Sequence, residues 1–292
     1  MAKTIKTVKW KKKRYLLAVV MLAAVLFAAA LYDGLTVSVH TLYSEKLNEG
    51  QKVEVLLITD LHSSVYGDNQ QALINKIKAE KPDLILMAGD IVDDKRPILG
   101  TQQLLEGLLN TAPIYYVTGN HEYWSGECEE IKDWLREYGV IVLEDEVQEV
   151  IINGVDLAIA GLEDPARKTD WPRYNTATAA REAFENLEEV PGYKILLAHR
   201  PELIRVYQQH PFDLVVSGHA HGGQVRIPFL LEQGLYTPGQ GFFPKYTKGA
   251  FIHGNLTHII SRGLHKGMLP RVFNPPELVK ITLLPLPNDK TD

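Results

Sequence analysis

Val53-Glu54-Val55-Leu56-Leu57-Ile58-Thr59-Asp60-Leu61-His62 is the stretch on which the reading of this chain turns. Val53 to Thr59 is a short, β-branched, apolar run with the pattern of a fully buried strand. It stops on an Asp-x-His triplet. The same grammar returns twice: Leu84 to Ala88 stops on Gly89-Asp90, and Ile114 to Thr118 stops on Gly119-Asn120-His121-Glu122. Between these runs, Gln70 to Glu80 has helical spacing through Leu73, Ile74 and Ile77 and ends before Pro82. Ile98 to Leu109 and Glu127 to Tyr138 also read as helices, and Val140 to Leu143 as a short strand. Strand, polar motif, helix, repeated, is the pattern of βαβ units in an α/β fold. Ligands in such folds bind outside the carboxyl ends of the strands, which is where all three polar motifs stand.

The second half is richer in strands. Val147 to Ile152 and Val155 to Ala160 flank Asn153-Gly154, the signature of a hairpin. Thr176 to Leu187 reads as a helix. Tyr193 to Leu197 is a strand ending at Ala198-His199, and Leu214 to Ser217 one ending at Gly218-His219-Ala220-His221. Ala250 to Ile260 and Leu278 to Leu284 read as closing strands, and Leu35 to Leu42 as an edge strand. No internal repeat occurs and no linker follows residue 52, so residues 53–287 are expected to form one domain. Residues 33–52 form a juxtamembrane segment.

The charge is uneven. The 292 residues carry 31 basic and 36 acidic side chains, but Lys3, Lys6, Lys9, Lys11, Lys12, Lys13 and Arg14 crowd the first fourteen positions. The 24 remaining basic residues face all 36 acids, a net of −12. Such a body is a poor partner for nucleic acid, whose binding is dominated by phosphate neutralisation. It also disfavours a broad surface for anionic membranes. After the basic run, Leu16 to Leu31 lacks any polar side chain and is flanked by Tyr15 and Tyr32. Residues 1–32 therefore read as a signal anchor, with a signal peptide cleaved near Ala28-Ala29-Ala30 as the alternative. In either case the basic flank stays in the cytoplasm and the rest lies outside it. The single cysteine, Cys128, excludes an intramolecular disulfide and a thiolate metal site.

Taken together, the strand-end motifs supply Asp60, Asp90, Asn120, His62, His199, His219 and His221. Each motif alone is weak; their order, placement and ligand count together point to two adjacent divalent ions. Carboxylate and imidazole suit Mn, Fe and Zn. Two ions about 3.5–4 Å apart clamp the attacking and leaving oxygens of a phosphoryl group.

With these motifs in this order, the chain resembles the calcineurin-like metallophosphoesterase family from residue 53 to about residue 284. The similarity is closest to its bacterial membrane-associated branch, through Gly218-His219-Ala220-His221-Gly222-Gly223-Gln224, Pro238-Gly239-Gln240-Gly241 and Ser261-Arg262-Gly263. The resemblance implies an α/β sandwich of two β-sheets flanked by helices, here with an N-terminal membrane helix. It implies that Asp60, His62 and His221 hold one metal, Asn120, His199 and His219 the other, and that Asp90 bridges both. The chemistry agrees: Gly89 lets the backbone turn at a central carboxylate, Asn120 adds a neutral oxygen, and Gly222 and Gly223 leave room for a substrate. A water shared by the ions would ionise near neutral pH and attack phosphorus.

His121 adjoins a ligand without being one, and is the candidate for protonating the leaving oxygen or for stabilising phosphate charge. Asp93 and Glu122 are candidates for orienting a site imidazole. His40, His210, His253, His258 and His265 fit no ligand pattern, although His265 stands where similar chains often carry Gly. Arg200 and Arg262 are open between substrate oxygens and ion pairs. Tyr236, Phe242, Phe243 and Tyr246 are open between loop packing and an apolar rim.

The expected function is hydrolysis of a phosphodiester or phosphomonoester by a tethered two-metal enzyme, with lipid- or envelope-linked esters among the candidate substrates. The alternative is a UDP-2,3-diacylglucosamine-type pyrophosphatase acting on a lipid-linked nucleotide sugar, whose cytoplasmic substrate conflicts with the expected topology. A non-catalytic metal-binding membrane protein is a third class, disfavoured because every ligand and His121 are present.

Overall fold

The computed structural model describes residues 2–167, 175–267 and 270–287, with side chains from residue 13 onward. The basic side chains of Lys3 to Lys12 lie outside what is described. Helix α1 (Ala2–Ala30) comes first. Its stretch Lys13–Ala30 has mean hydropathy 1.9, contains no buried residue, and is long and apolar enough to cross a membrane. Then follow β1 (Thr36–Ser44), β2 (Val53–Ile58), α2 (Gln71–Ala79), β3 (Leu84–Ala88), α3 (Leu99–Leu108) and β4 (Ile114–Val117). Next come α4 (Asn120–Trp124), α5 (Cys128–Glu137), β5 (Ile141–Val142), β6 (Glu146–Ile152) and β7 (Val155–Leu162). The remainder is α6 (Thr176–Ala183), β8 (Tyr193–Ala198), α7 (Ile204–Tyr207), β9 (Leu214–Ser217), β10 (Tyr236–Thr237), β11 (Gly241–Phe242), β12 (Gly249–His253), β13 (Leu256–Ile260) and β14 (Glu277–Pro285).

Two six-stranded sheets result, in the orders β1-β14-β2-β3-β4-β5 and β12-β13-β9-β8-β7-β6. In the first, β2 to β5 are parallel and β14 runs against β2. In the second, β7, β8, β9 and β13 are parallel, and β6 and β12 close the edges antiparallel. Residues 33–52 thus contribute β1, which pairs in parallel with β14.

Period-two alternation builds the layers. On β2, Val53, Val55 and Leu57 face the core between the sheets, with Leu86 of β3, Ile195 of β8 and Val216 of β9. Leu56 and Ile58 face the other way and pack with Leu73 and Ile77 of α2 and Leu104 of α3. The outer face of the second sheet packs Leu196 and Val215 against Ala180 of α6 and Ile204 of α7. Truncating a residue such as Leu57 to Ala costs about 2–5 kcal/mol. The sandwich puts the carboxyl ends of both parallel sets at one end of the molecule.

Two details depart from the sequence expectation. Residues 250–260 are two antiparallel strands, β12 and β13, in which His253 pairs with Leu256. Gly254-Asn255 makes a two-residue hairpin turn there. The helix expected to reach Leu187 ends at Ala183, and a single 3-10 turn, Leu187–Glu189, follows.

Candidate metal centre

Backbone hydrogen bonds lock the strand-end loops to each other. Asp60 N donates to Gly89 O at 3.0 Å, His62 N to Asp90 O at 2.9 Å, and Gly218 N to His199 O at 3.1 Å. His219 N donates to Asp60 Oδ1 at 2.8 Å, joining the two sheets through a site carboxylate. His121 N donates to Asp90 Oδ1 at 2.8 Å. Asp60, His62, Asp90, His219 and His221 all have φ between 46° and 63°. Left-handed backbone at a non-glycine costs roughly 1–3 kcal/mol and concentrates at functional sites. Gly89, at φ 82°, admits no side chain: a Cβ would come within 2.5 Å of His199 Nδ1. A Cβ on Gly119 would overlap the Asp90 backbone and carboxylate.

The structure gathers the residues singled out by the sequence. Ligand atoms of Asp60, His62 and His221 converge in one group, and those of Asp90, His199 and His219 in another, each within 4.8 Å. Asp90 Oδ2 lies between the two groups, 3.2 Å from His199 Nε2 and 3.5 Å from His62 Nε2. His199 Nδ1 donates to Ala88 O at 2.9 Å, which fixes the tautomer and turns Nε2 toward Asp90. Buried Asp60 Oδ2, His62 Nε2, Asn120 Oδ1, His199 Nε2 and His221 Nδ1 have no hydrogen-bond partner. Buried polar atoms are nearly always satisfied. Unpartnered oxygen and imidazole nitrogen atoms at the strand ends, all good donors to a borderline cation, fit metal ions well.

Burial and mutual charge shift the site groups in opposite directions. Burial alone would raise Asp90, but the charge of the adjacent His199, with His62 and His121, outweighs it and holds its carboxyl well below the usual range. Burial opposes charge on His199 too, yet Asp90 and Asp60 raise it to about 10. Burial pushes Asp60 up. Burial, reinforced by cationic neighbours, pushes His219 and His221 well below the ordinary imidazole value, leaving both neutral with lone pairs to offer.

Around this centre, Asp93 Oδ2 lies 3.3 Å from His62 Nδ1, while its Oδ1 accepts from Lys95 N and Arg96 N at 3.0 and 2.9 Å. Glu122 makes no hydrogen bond or ion pair to an imidazole among the described residues. Its buried carboxylate accepts from Asp90 N, Ile91 N, Val92 N and Gly119 N at 2.7–3.0 Å, clamping two loops together. Burial raises its carboxyl to about 7, with Asp90 adding to the rise and the backbone donors opposing it. His121 stands edge-on to His62, ring centroids 4.3 Å apart, and its Nδ1 lies 2.7 Å from Asp94 Oδ1.

Several sequence readings need correction. Gly222 and Gly223 do not open space for a substrate: a Cβ on the first would meet Asn274 and Arg262, and on the second Gln233 and Gly234. Arg200 and Arg262, open in the sequence between substrate oxygens and ion pairs, form ion pairs with Asp164 at 2.7 Å and Glu277 at 2.6 Å. The Asp164 pair is bidentate and buried, and sets Arg200 Nη1 3.3 Å from His219 Nε2. Asp164 follows the carboxyl end of β7, so the strand-end rule applied there would have found it. His265 is not an ordinary histidine. Its ring packs 4.4 Å from that of His62 and 5.5 Å from that of His221. Asp94 was missed beside Asp93, and nothing in the sequence separates their partners.

The sequence profile of the calcineurin-like phosphoesterase family matches residues 53–223, which include all seven candidate ligands and His121. This chain belongs to that family. It is a metal-dependent phosphoric ester hydrolase. An uncharacterized metallophosphoesterase of Aquifex aeolicus (strain VF5) is 31% identical over 256 residues, 85% of this chain and 92% of that one. One of Helicobacter pylori (strain ATCC 700392 / 26695) is 32% identical over 269 residues, 89% of this chain and 67% of that one. The structure of TT1561 from Thermus thermophilus aligns over 73% of this chain and 91% of its own, with TM-score 0.47 and 12% identity.

Proposed function

We propose that this metallophosphoesterase is tethered to the membrane by α1 and hydrolyses a phosphodiester or phosphomonoester outside the cytoplasm with two divalent ions. The observation that carries this reading is Asp90 Oδ2, set between an imidazole of each ligand group while the other buried donors stand unpartnered. Asp60, His62 and His221 would hold one ion, Asn120, His199 and His219 the other, and Asp90 both. When bound, two such ions supply Lewis acidity toward phosphoryl oxygens and make water a stronger acid.

The chain's own residues supply the rest. Asp93 orients His62, and Glu122 holds the loops bearing Asp90 and Asn120 in register. His121 is free to present Nε2 to the leaving oxygen because Asp94 engages Nδ1, the arrangement a general acid needs. The tether rests on the exposed apolar helix and on the basic run that precedes it. The acidic body argues against nucleic acid as substrate.

The test is turnover of the full chain on phosphomonoesters, phosphodiesters and nucleotide-sugar lipids, with Mn, Zn or Fe added. Metal-dependent hydrolysis of simple diesters or monoesters supports the proposal. Turnover confined to the nucleotide-sugar lipid favours the pyrophosphatase alternative, and no metal-dependent turnover on any class overturns both.

A further inference from the structure

The strand-end site is held on one side by an unusual surface. After His221 the chain makes two short hairpins. Leu231 N donates to Ile227 O at 2.8 Å and closes the first around Phe229 and Leu230, which are 92% and 83% exposed. The second pairs β10 with β11 and exposes Tyr236, Phe242 and Phe243. Loop packing accounts for only part of this set. Tyr246, from the same stretch, is half-buried against Phe251 at 5.0 Å, and Tyr236 meets Phe242 edge-on at 5.2 Å, but Phe229, Leu230, Phe242 and Phe243 remain largely exposed. Large apolar side chains clustered on a surface mark an interaction site.

Their position says what covers them. Phe273 N donates to Ala30 O at 2.7 Å, tying the segment before β14 to the last turn of α1. The neighbouring Val272 pairs with the base of the first hairpin: its N donates to Gln224 O at 3.2 Å, and its O accepts from Arg226 N at 3.0 Å. Two steps of backbone pairing therefore separate the end of the apolar helix from the turn carrying Phe229 and Leu230. The second hairpin hangs from the same place, through Leu235 N donating to Gly223 O at 2.9 Å.

We propose that these two hairpins insert into the outer part of the phospholipid leaflet from which α1 emerges, forming a second membrane contact beside the metal centre. The inference rests on the tether proposed above. With a net −12 beyond residue 14, apolar insertion and not charge is the means of attachment, although Lys245, three residues after β11, is exposed and suits anionic headgroups. A cavity of 190 Å³ lined by Leu31, Asp33, His265 and Arg271 lies between the helix end and the centre. In this arrangement the headgroup layer borders His265, which packs on His62 and His221.

The experiment uses the full chain reconstituted in vesicles of phosphatidylethanolamine and phosphatidylglycerol. A polarity-sensitive fluorophore is attached at Phe229→Cys, Phe243→Cys, Ile151→Cys or Val25→Cys; the buried Cys128 is controlled by labelling the parent chain. Ile151 is exposed on β6, at the opposite end of the parallel strands. The expected result is a blue shift at 229 and 243 and quenching by nitroxide lipids. A shallow nitroxide should quench more than a deep one, as interfacial burial of about 5–10 Å requires. Residue 151 should stay solvent-like. Solvent-like emission at 229 and 243 with a quenched label at 25 overturns the inference and leaves the tether standing. An unquenched label at 25 overturns the tether and the inference with it. A blue shift at 229 that grows with protein density but ignores nitroxide lipids assigns the surface to a second copy of the chain, and also overturns the inference.

Discussion

Asp94→Asn tests how His121 is prepared for the leaving group. The His121 Nδ1 and Asp94 Oδ1 atoms are 2.7 Å apart, with side chains 24% and 11% exposed. A hydrogen bond to a charged group is worth about 1.5–3 kcal/mol, and partial exposure puts this one at the lower end. The amide would leave the ring in place but remove the charge that fixes Nδ1 as donor. A loss of about 1.5–2 kcal/mol in the transition state is a rate loss of roughly 10- to 30-fold. His121→Ala should cost about 10²- to 10⁴-fold, the range for a general acid. Because Asp94 acts only through the imidazole, the double variant should be no slower than His121→Ala alone. The assay is kcat/KM at saturating Mn on a nitrophenyl diester and on an alkyl diester. Both single variants should lose less on the nitrophenyl substrate, whose leaving group needs little protonation. Losses that multiply in the double variant, or that are equal on both substrates, would refute the reasoning.

Other consequences can be measured separately. Gly119→Ala forces a Cβ into the Asp90 backbone and carboxylate. It should cost about 1–3 kcal/mol in urea unfolding and abolish most turnover; unchanged activity would remove the close approach from the account. His258 is buried beside Ser217 and burial lowers it to about 3 from 6.5. Its folded value lies below its unfolded one, so the unfolded chain binds more protons between those limits and stability falls as pH drops through them. Relative to alkaline pH the penalty is about 2 kcal/mol by about pH 5. His258→Phe should lack that acid loss when the two unfolding profiles are subtracted, and parallel profiles would contradict it. For topology, a reporter active only outside the cytoplasm, fused after Asp292, should be active and a cytoplasmic reporter silent. Only Lys46 and Lys52 follow the apolar segment within about 20 residues, so the reverse pattern would place the site inside.

What the sequence shows and what it hides divides along physical lines. Buried strands are legible because burial on both faces demands apolar runs such as Val53 to Ile58, and the polar residue that ends each run is then conspicuous. Convergence of Asp60, Asp90, Asn120, His199 and His219 follows from the parallel grammar, since both sheets deliver their carboxyl ends to one place. Pairings across the fold are not legible. Arg200 and Asp164 are 36 residues apart and meet only because β7 and β8 are neighbours. Asp93 and Asp94 are chemically identical, and only the three-dimensional turn sets Asp93 against His62 at 3.3 Å, with His121 at 4.0 Å, and Asp94 against His121 at 2.7 Å. His265 reaches the site because Leu264 N bonds back to Thr59 O at 3.0 Å, a closure no local pattern announces. The Gly254-Asn255 turn was legible and was obscured by the apolar residues on either side of it.

The most direct test of the account is metal stoichiometry in the wild-type chain and in Asp90→Asn, measured with turnover on the same samples. If Asp90 joins two ions, the wild type should hold two equivalents of Mn per chain, and the variant should lose most of the metal and nearly all hydrolysis. A wild type that saturates at one equivalent, or a variant that keeps two equivalents and normal turnover, would contradict the two-metal centre.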